Sequence, residues 1–176
     1  MKKMTKFFAL AIVMVAFSAA TFAQVTTSAT AVIITPLTVT KITDMNFGNI
    51  AASAAGGTVV LSPLGAVTPA GVTVPAATPG LPTAATFTLA GLATATYAVA
   101  IAPATVTLGD AAAHTMTVGT FSQAVSAGTL GTLPAGGTHV LQIGATLTVG
   151  ANQAAGTYTS GAANGSGDFT VTVNYN

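Results

Sequence analysis

Alternation of apolar and polar side chains is the strongest pattern in this chain, and it is clearest at the C-terminal end. Phe169, Val171, Val173 and Tyr175 alternate with threonine and asparagine. Successive side chains on a strand point to opposite faces, so this run predicts a β-strand with one buried and one exposed face. The buried face needs a core that the rest of the chain supplies.

A longer run of the same kind covers residues 139–149. Leu141, Ile143, Ala145, Leu147 and Val149 occupy every other position, with polar or small residues between them. This pattern predicts the longest strand of the fold. Burying a large apolar side chain contributes roughly 1.5–3 kcal/mol, so we expect this strand to supply much of the core.

Shorter runs rich in threonine and valine fill the rest of the chain, with Gly and Pro between them. They predict strands over 29–35, 37–42, 58–62, 72–75, 84–90, 94–102, 105–108 and 114–121. We expect a hairpin around Gly91, and a β-bulge at Gly119 that returns Phe121 to the core. The fold class is therefore all-β, an Ig-like antiparallel β-sandwich of about 7–10 short strands.

The first 23 residues predict an export signal. Lysines at positions 2, 3 and 6 precede an apolar run over 7–20, and residues 21–23 provide a cleavage site before Gln24. A transmembrane anchor is the alternative, but the run is shorter than the roughly 20 residues that span a bilayer. We expect a signal peptide over 1–23 and a single β-sandwich domain over 24–176. The mature chain would have no transmembrane segment and would lie in the periplasm, at the cell surface or outside the cell.

Charge is scarce, and this changes the expected partners. Charged residues make up 4% of the chain, against about 25% in an ordinary soluble domain. Without the leader, Lys41 stands against Asp44, Asp110 and Asp168, a formal charge of −2. No basic patch remains for nucleic acid. Such a surface repels its neighbours weakly, which suits packing beside copies of the same protein.

Groups that could carry chemistry are few. The chain has no cysteine, so core packing and strand pairing hold the fold without disulfides. His114 and His139 are not spaced as a metal-binding pair, and we expect both to be solvated at strand starts. Residues 164–168 offer one carboxylate, too few for calcium. Asp44 is expected to accept hydrogen bonds from turn amides. We predict no catalytic residue, metal site or cofactor.

Two surface functions remain as alternatives. Threonine pairs at 86/88, 115/117, 146/148 and 170/172 resemble the ordered arrays of ice-binding surfaces, although exposed strands favour threonine in any case. Carbohydrate binding usually needs exposed aromatic platforms, whereas Tyr97 and Tyr175 alternate with core positions and the chain has no tryptophan.

Six motifs carry a resemblance to a known family. They are DMNFGNI at 44–50, GGTVVLSP at 56–63, AATFTL at 84–89, GATLTV at 144–149, NQAAGTY at 152–158 and FTVTVNY at 169–175. With these motifs in this order, the chain resembles the domain of unknown function 4402 family of exported bacterial proteins. The resemblance implies a secreted β-sandwich and no assigned activity.

More distantly, the alternating final strand and its penultimate tyrosine resemble the ends of spore-coat-U-type proteins and chaperone–usher pilins, which implies a pilin-like sandwich. In those assemblies the extended N-terminal segment of one subunit adds a strand to its neighbour. The resemblance implies that strand exchange uses Val32, Ile34, Phe169, Val171, Val173 and Tyr175. The chain differs from those proteins in having no disulfide.

These observations together predict an exported, non-enzymatic structural or cell-surface interaction protein. It would be a pilus-like or coat-like subunit that joins copies of itself, or other surface proteins, by β-strand addition. The alternative is a soluble secreted module that binds a ligand or a carbohydrate.

Overall fold

The computed structural model describes residues 24–176, and the predicted signal peptide over 1–23 lies outside the described residues. Residues Ile34–Asn176 form one compact unit, and residues 24–33 belong to another. The described residues contain nine strands and no helix. The strands are β1 (Thr38–Thr43), β2 (Gly57–Leu61), β3 (Val67–Ala70), β4 (Ala85–Ala90), β5 (Tyr97–Ala102), β6 (Thr105–Gly109), β7 (Thr115–Val125), β8 (Thr138–Val149) and β9 (Thr170–Tyr175).

The longest strand, β8, organises a seven-stranded antiparallel sheet. One edge of β8 pairs with β7, and β6 pairs with the far edge of β7. The other edge pairs first with β4, over residues 138–143, and then with β2, over residues 145–149. Beyond β4 lies β1, and beyond β2 lies β3. One long strand thus joins two halves of the sheet.

A glycine allows β8 to change partners. Gly144 lies between the residues that pair with β4 and those that pair with β2. A Cβ at this position would collide with the carbonyl oxygen of Leu61 and would lie 2.6 Å from the nitrogen of Pro63. Only a residue without a side chain lets the neighbouring backbone approach so closely.

The second sheet pairs β5 with β9 and covers one half of the large sheet. Their register aligns Tyr97 with Tyr175 and Val99 with Val173. Between the two sheets lies a core cluster made of Ala85, Phe87, Leu89, Tyr97, Leu133, Leu141, Ile143 and Val173. Two packed antiparallel sheets confirm the predicted all-β sandwich.

A second core cluster packs against the other half of the large sheet. It is made of Phe47, Val59, Leu61, Val72, Val106, Val118, Ala145, Leu147 and Val149. All five residues predicted for the buried face of β8 are buried. The alternating pattern of the longest strand therefore predicted its core face correctly.

The predicted irregularity at Gly119 is confirmed. The pairing of β7 with β8 shifts register between Gly119 and Ser122, and Thr120 has a positive φ of 50°. Phe121 is half-buried and lies 5.0 Å from Phe169, measured between ring centroids. The extra residue thus returns the phenylalanine to the interior, as a bulge does.

Three predicted elements are wrong. The structure has no strand over 29–35. The predicted strand over 72–75 is reduced to one bridge between Ala51 and Thr73. Instead, β3 contains Pro69, which is tolerated because β3 lies at the sheet edge, where a missing N–H costs little. The predicted hairpin around Gly91 also fails, because β4 and β5 belong to different sheets.

Threonine dominates the outer face of the large sheet. Thr58, Thr148, Thr117 and Thr107 lie opposite one another on β2, β8, β7 and β6. Directly opposed residues point to the same face, and these four strands contain no Asp, Glu, Lys or Arg. Adjacent strands of a sheet generally rotate by roughly 20–25° relative to one another, which works against a flat array of the kind expected of an ice-binding surface.

Candidate functional site

Two neighbouring strands have an edge without a strand partner among the described residues. β1 pairs with β4, and β9 pairs with β5. β1 and β9 lie beside each other, but no backbone ladder joins them in the part of the chain that the structure describes. An unpaired strand edge is a template for another strand unless something covers it.

A cleft of about 1060 Å³ opens where the end of β1 faces the start of β9. Lys41, Thr43 and Asp44 line it on the β1 side, and Asp168 and Phe169 line it on the β9 side. Its floor is the apolar interior of the sandwich, formed by Phe87, Val106, Leu108, Met116, Val118, Leu147 and Val149. We call it the β1–β9 cleft.

One wall of the β1–β9 cleft is the segment that follows β1, residues 44–52. Asn46 exchanges two backbone hydrogen bonds of 2.8 Å with Thr83, and the N–H of Asn49 donates to the carbonyl of Pro79 over 2.8 Å. Gly48 has a φ of 77°, and a Cβ there would collide with the same Pro79 carbonyl. This wall is therefore held against residues 79–83.

The opposite wall is formed by residues 153–160. The amide of Gln153 donates to the hydroxyl of Tyr158 over 2.8 Å, and that hydroxyl donates to the carbonyl of Ala154 over 2.7 Å. Thr159 exchanges backbone hydrogen bonds with Gly109 at the end of β6. The first wall is thus held by residues 79–83 and the second by its own side chains and by Gly109, while a bond from Asn152 to the carbonyl of Ser53 joins the two walls at one end.

Ionised side chains gather at the rim of this cleft. The ammonium of Lys41 contacts the carboxylate of Asp44 at 2.6 Å, and both side chains are exposed. The pKa of Lys41 is raised above 10.5 by the hydrogen bond that its ammonium donates to Asp44 and by the negative charge of Asp44, and the charge of Asp168 adds to this. The hydroxyl of Ser160 donates to Asp168. Three of the four Asp and Lys side chains in residues 24–176 thus lie at one rim.

The structure places the six residues proposed for strand exchange in two settings. Val32 is 82% exposed and Ile34 is 49% exposed. On β9, Val173 is buried, and Val171 and Tyr175 are half-buried against the core between the sheets, as is Phe169 just before the strand. The side chains of β9 therefore face their own core, and its backbone edge is the part open to a partner strand.

Tyr175 also ties together distant parts of the chain. Its hydroxyl donates to the carbonyl of Thr35 over 2.9 Å and accepts from the N–H of Leu92 over 2.6 Å. A Cβ on Gly91 would collide with this hydroxyl. The penultimate tyrosine thus holds Thr35 next to the turn that follows β4.

The two histidines differ in setting, and the prediction that both are solvated is wrong for His139. His139 is buried, its Nδ1 accepts from the hydroxyl of Tyr97 at 3.0 Å, and its Nε2 donates to the carbonyl of Ala127. Both ring nitrogens are used inside the fold. The ring therefore serves packing and hydrogen bonding within the core.

His114 belongs to a turn that is organised around the buried Asp110. The carboxylate of Asp110 accepts from the N–H groups of Ala112 and His114 and from the His114 ring. Burial by itself would raise the pKa of Asp110, but the bonds from His114 and Ala112 outweigh it and lower the pKa below 3.8. Among residues 24–176, no three His, Cys, Asp or Glu side chains are grouped to hold a metal ion.

Asp44 also differs from its predicted role. Its carboxylate pairs with Lys41, and its backbone carbonyl accepts from the hydroxyl of Thr83 over 3.1 Å. The sequence pattern missed the other cleft residues, chiefly Met45, Met116, Gln153 and Tyr158. One signal could have indicated the place, since Lys41 and Asp44 are three residues apart in a chain with almost no other charge.

Comparison with known proteins identifies the family of this chain. The family model described as Domain of unknown function (DUF4402) matches residues 37–175. Neither the curated proteins nor the solved structures contain a match to the chain. In residues 24–176 there is no helix long and apolar enough to cross a membrane.

Proposed function

The chain belongs to the family described as Domain of unknown function (DUF4402), and from this premise we propose that it is an exported, non-enzymatic structural or cell-surface subunit that assembles by β-strand addition. One observation carries the proposal. Two adjacent strands, β1 and β9, keep an edge without a strand partner among the described residues, and a cleft with an apolar floor opens where β1 ends and just before β9 begins. A strand added there gains backbone hydrogen bonds and buries apolar side chains at the same time.

The charge distribution supports the same function. The threonine-rich outer face carries no ionised side chain on β2, β6, β7 or β8. Electrostatic repulsion between copies is therefore small, and close packing of subunits costs little. The proposed partners are copies of the same chain or other surface proteins. Nucleic acid is not among the proposed partners.

Electrophoresis of the exported protein tests the assembly. Material collected from cells is run in SDS without boiling, and we expect a ladder of species that collapses on heating. The double variant Val32→Asp/Ile34→Asp should abolish the ladder, since charged side chains cannot enter an apolar site without a partner. Val25→Asp is the matched control, because Val25 is 90% exposed but lies outside the predicted segment 29–35.

Two outcomes would contradict assembly by strand addition. A strictly monomeric exported protein, or a ladder that persists after deletion of residues 24–35, would remove strand addition from the proposal.

A ligand-binding module is the second candidate, and the cleft volume favours it. At about 1060 Å³, the β1–β9 cleft is as large as many sites for small molecules. Tyr158 is the tyrosine that lines it. Binding on a glycan array that is lost in Tyr158→Ala but kept in Tyr175→Phe would favour this function over assembly.

A further inference from the structure

The N-terminal segment, residues 24–40, is uncharged and contains exposed apolar side chains. Residues 24–40 contain no ionisable side chain. Val25, Val32 and Ile33 are 90%, 82% and 98% exposed, and Ile34 is 49% exposed. Burial of such side chains is favourable, so the hydrophobic effect would stabilise a complex in which another surface covers them.

The β1–β9 cleft has matching chemistry. Its floor is apolar, and half-buried Met45 and Met116 line it, side chains that adapt to different shapes. Its charges already have partners within the same chain, Lys41 with Asp44 and Asp168 with Ser160. An occupant without charge would leave these pairs intact. A charged occupant would have to break or compete with them.

The segment also has the length of an ordinary strand. Residues 29–35 in an extended conformation span about 23 Å. Pro36 follows directly and has no N–H, so it ends a ladder of backbone hydrogen bonds.

The same proline argues against pairing of the segment with β1 of its own chain. For residues 29–35 to pair with β1 of their own chain, Pro36 and Leu37 would have to form a two-residue hairpin turn. The turns that suit such hairpins need a positive φ at their first central residue. The proline ring fixes φ near −65°. Folding back onto β1 through this tight turn is therefore excluded.

We propose that the β1–β9 cleft receives residues 29–35 of a second copy, with Val32 and Ile34 on the apolar floor and the added segment entering between the end of β1 and the residues that precede β9. This inference rests on the proposed assembly by strand addition and assigns its receiving site. Ile33 then points away from the floor, because neighbouring residues of a strand face opposite sides.

The absence of cysteine from the sequence makes a direct test possible. Single-cysteine variants of the full chain are produced in two forms that differ in size by a tag. The tagged form carries Ile34→Cys, and the untagged form carries Met116→Cys or Met45→Cys. After mixing, mild oxidation should give a disulfide-linked heterodimer with at least one cleft variant.

Two matched controls define the geometry. Ile33→Cys in the tagged form should give at least about tenfold less heterodimer than Ile34→Cys, because its side chain faces the other side. The second control is Leu64→Cys in the untagged form. Leu64 is 74% exposed and therefore accessible, but it lies on the turn between β2 and β3 and does not line the cleft. This variant should give only background linkage.

The outcomes separate the two proposals. A ladder of assembled protein without linkage at Met45 or Met116, or with equal linkage at Leu64, overturns the cleft assignment and leaves assembly in place. Absence of any assembled species overturns both. Linkage from Ile33 equal to that from Ile34 overturns the proposed facing. Selective linkage from Ile34 to the cleft supports the inference.

Discussion

At the scale of single residues, polar side chains hold this fold at a few turns. The Asp110 carboxylate collects three hydrogen bonds at the turn between β6 and β7. The Tyr175 hydroxyl links Thr35 with Leu92. The bonds at Asp110 are partly buried, where a group left without its partner stays unsatisfied, whereas those of Tyr175 lie at exposed positions and act by linking distant segments.

Asp110 predicts a pH dependence of stability. Its pKa in the folded state lies below 3.8, so the ionised carboxylate stabilises the folded state above that value, and this contribution is lost as the pH falls through the folded pKa. The difference in unfolding free energy between the protein and Asp110→Asn should be constant near neutral pH and shrink below about pH 4. Urea unfolding across this range measures it. A difference that does not change with pH would contradict the assigned hydrogen bonds.

Tyr175→Phe isolates the hydroxyl of the penultimate tyrosine. The variant keeps the ring in the core and removes both hydrogen bonds, so we expect a loss of about 1–2 kcal/mol of unfolding free energy. Thermal unfolding measures this. Tyr158→Phe is a control at the wall of the cleft, and it should leave the protection of the Leu92 amide against hydrogen exchange unchanged, whereas Tyr175→Phe should reduce it.

At the scale of elements, β8 decides the architecture. Its alternating side chains supply both core clusters, and one of its edges serves two different strands. Its neighbour β7 follows it along both halves only by shifting register between Gly119 and Ser122. The sheet therefore depends on two local backbone features, the glycine at 144 and the bulge at Thr120.

Gly144→Ala should destabilise the fold. The added methyl group meets backbone atoms of Leu61, Ser62 and Pro63 that cannot move without separating β2 from β8. We expect a loss of about 2 kcal/mol or more. Gly161→Ala is the matched control, since no atom lies within 4 Å of its Cβ position, and it should change stability by less than about 0.5 kcal/mol. Equal effects of the two variants would refute the close approach.

Thr120→Gly should stabilise the bulge. A β-branched residue at a φ of 50° is strained by about 1–3 kcal/mol, whereas glycine adopts this conformation freely. We expect a gain of about 1 kcal/mol in unfolding free energy, after allowing for the greater chain entropy of glycine. Thr117→Gly in the regular part of β7 should have the opposite sign, and chemical denaturation of the two variants distinguishes them.

At the scale of the whole molecule, charge and strand edges converge on one region. Three of the four Asp and Lys side chains of residues 24–176 line the β1–β9 cleft. The same cleft opens where β1 ends and just before β9 begins, and each of these strands has an edge without a strand partner in this part of the chain. The opposite, threonine-rich face of the sheet is free of ionised groups on β2, β6, β7 and β8.

Assembly should therefore depend little on salt. The proposed contacts between copies are backbone hydrogen bonds and apolar side chains, and the ions at the rim are paired within one chain. Raising ionic strength from about 0.05 M to about 0.5 M shortens the screening length severalfold but should leave the assembled fraction in size-exclusion chromatography nearly constant. A steep decrease with salt would show that ion pairs between copies carry the assembly instead.

The sequence by itself determined which residues face the core in the most regular strands. Alternation in 139–149 predicted the buried face of β8, and the phase change at Phe121 predicted the bulge. Both succeed because side-chain period is a local property, so a strand records in its own residues which face is buried. The scarcity of charge and the absence of disulfides were likewise set by composition alone.

Only the tertiary structure decided which strands pair and where a site forms. Nothing local to 84–102 shows that β4 and β5 enter different sheets, and Pro69 lies in a strand because that strand has only one neighbour. Asp168 joins Lys41 and Asp44 across more than a hundred residues of sequence. Strand pairing and the meeting of distant side chains at one site both depend on contacts between segments far apart in the sequence. These contacts are fixed by how whole faces pack and not by the period within one strand.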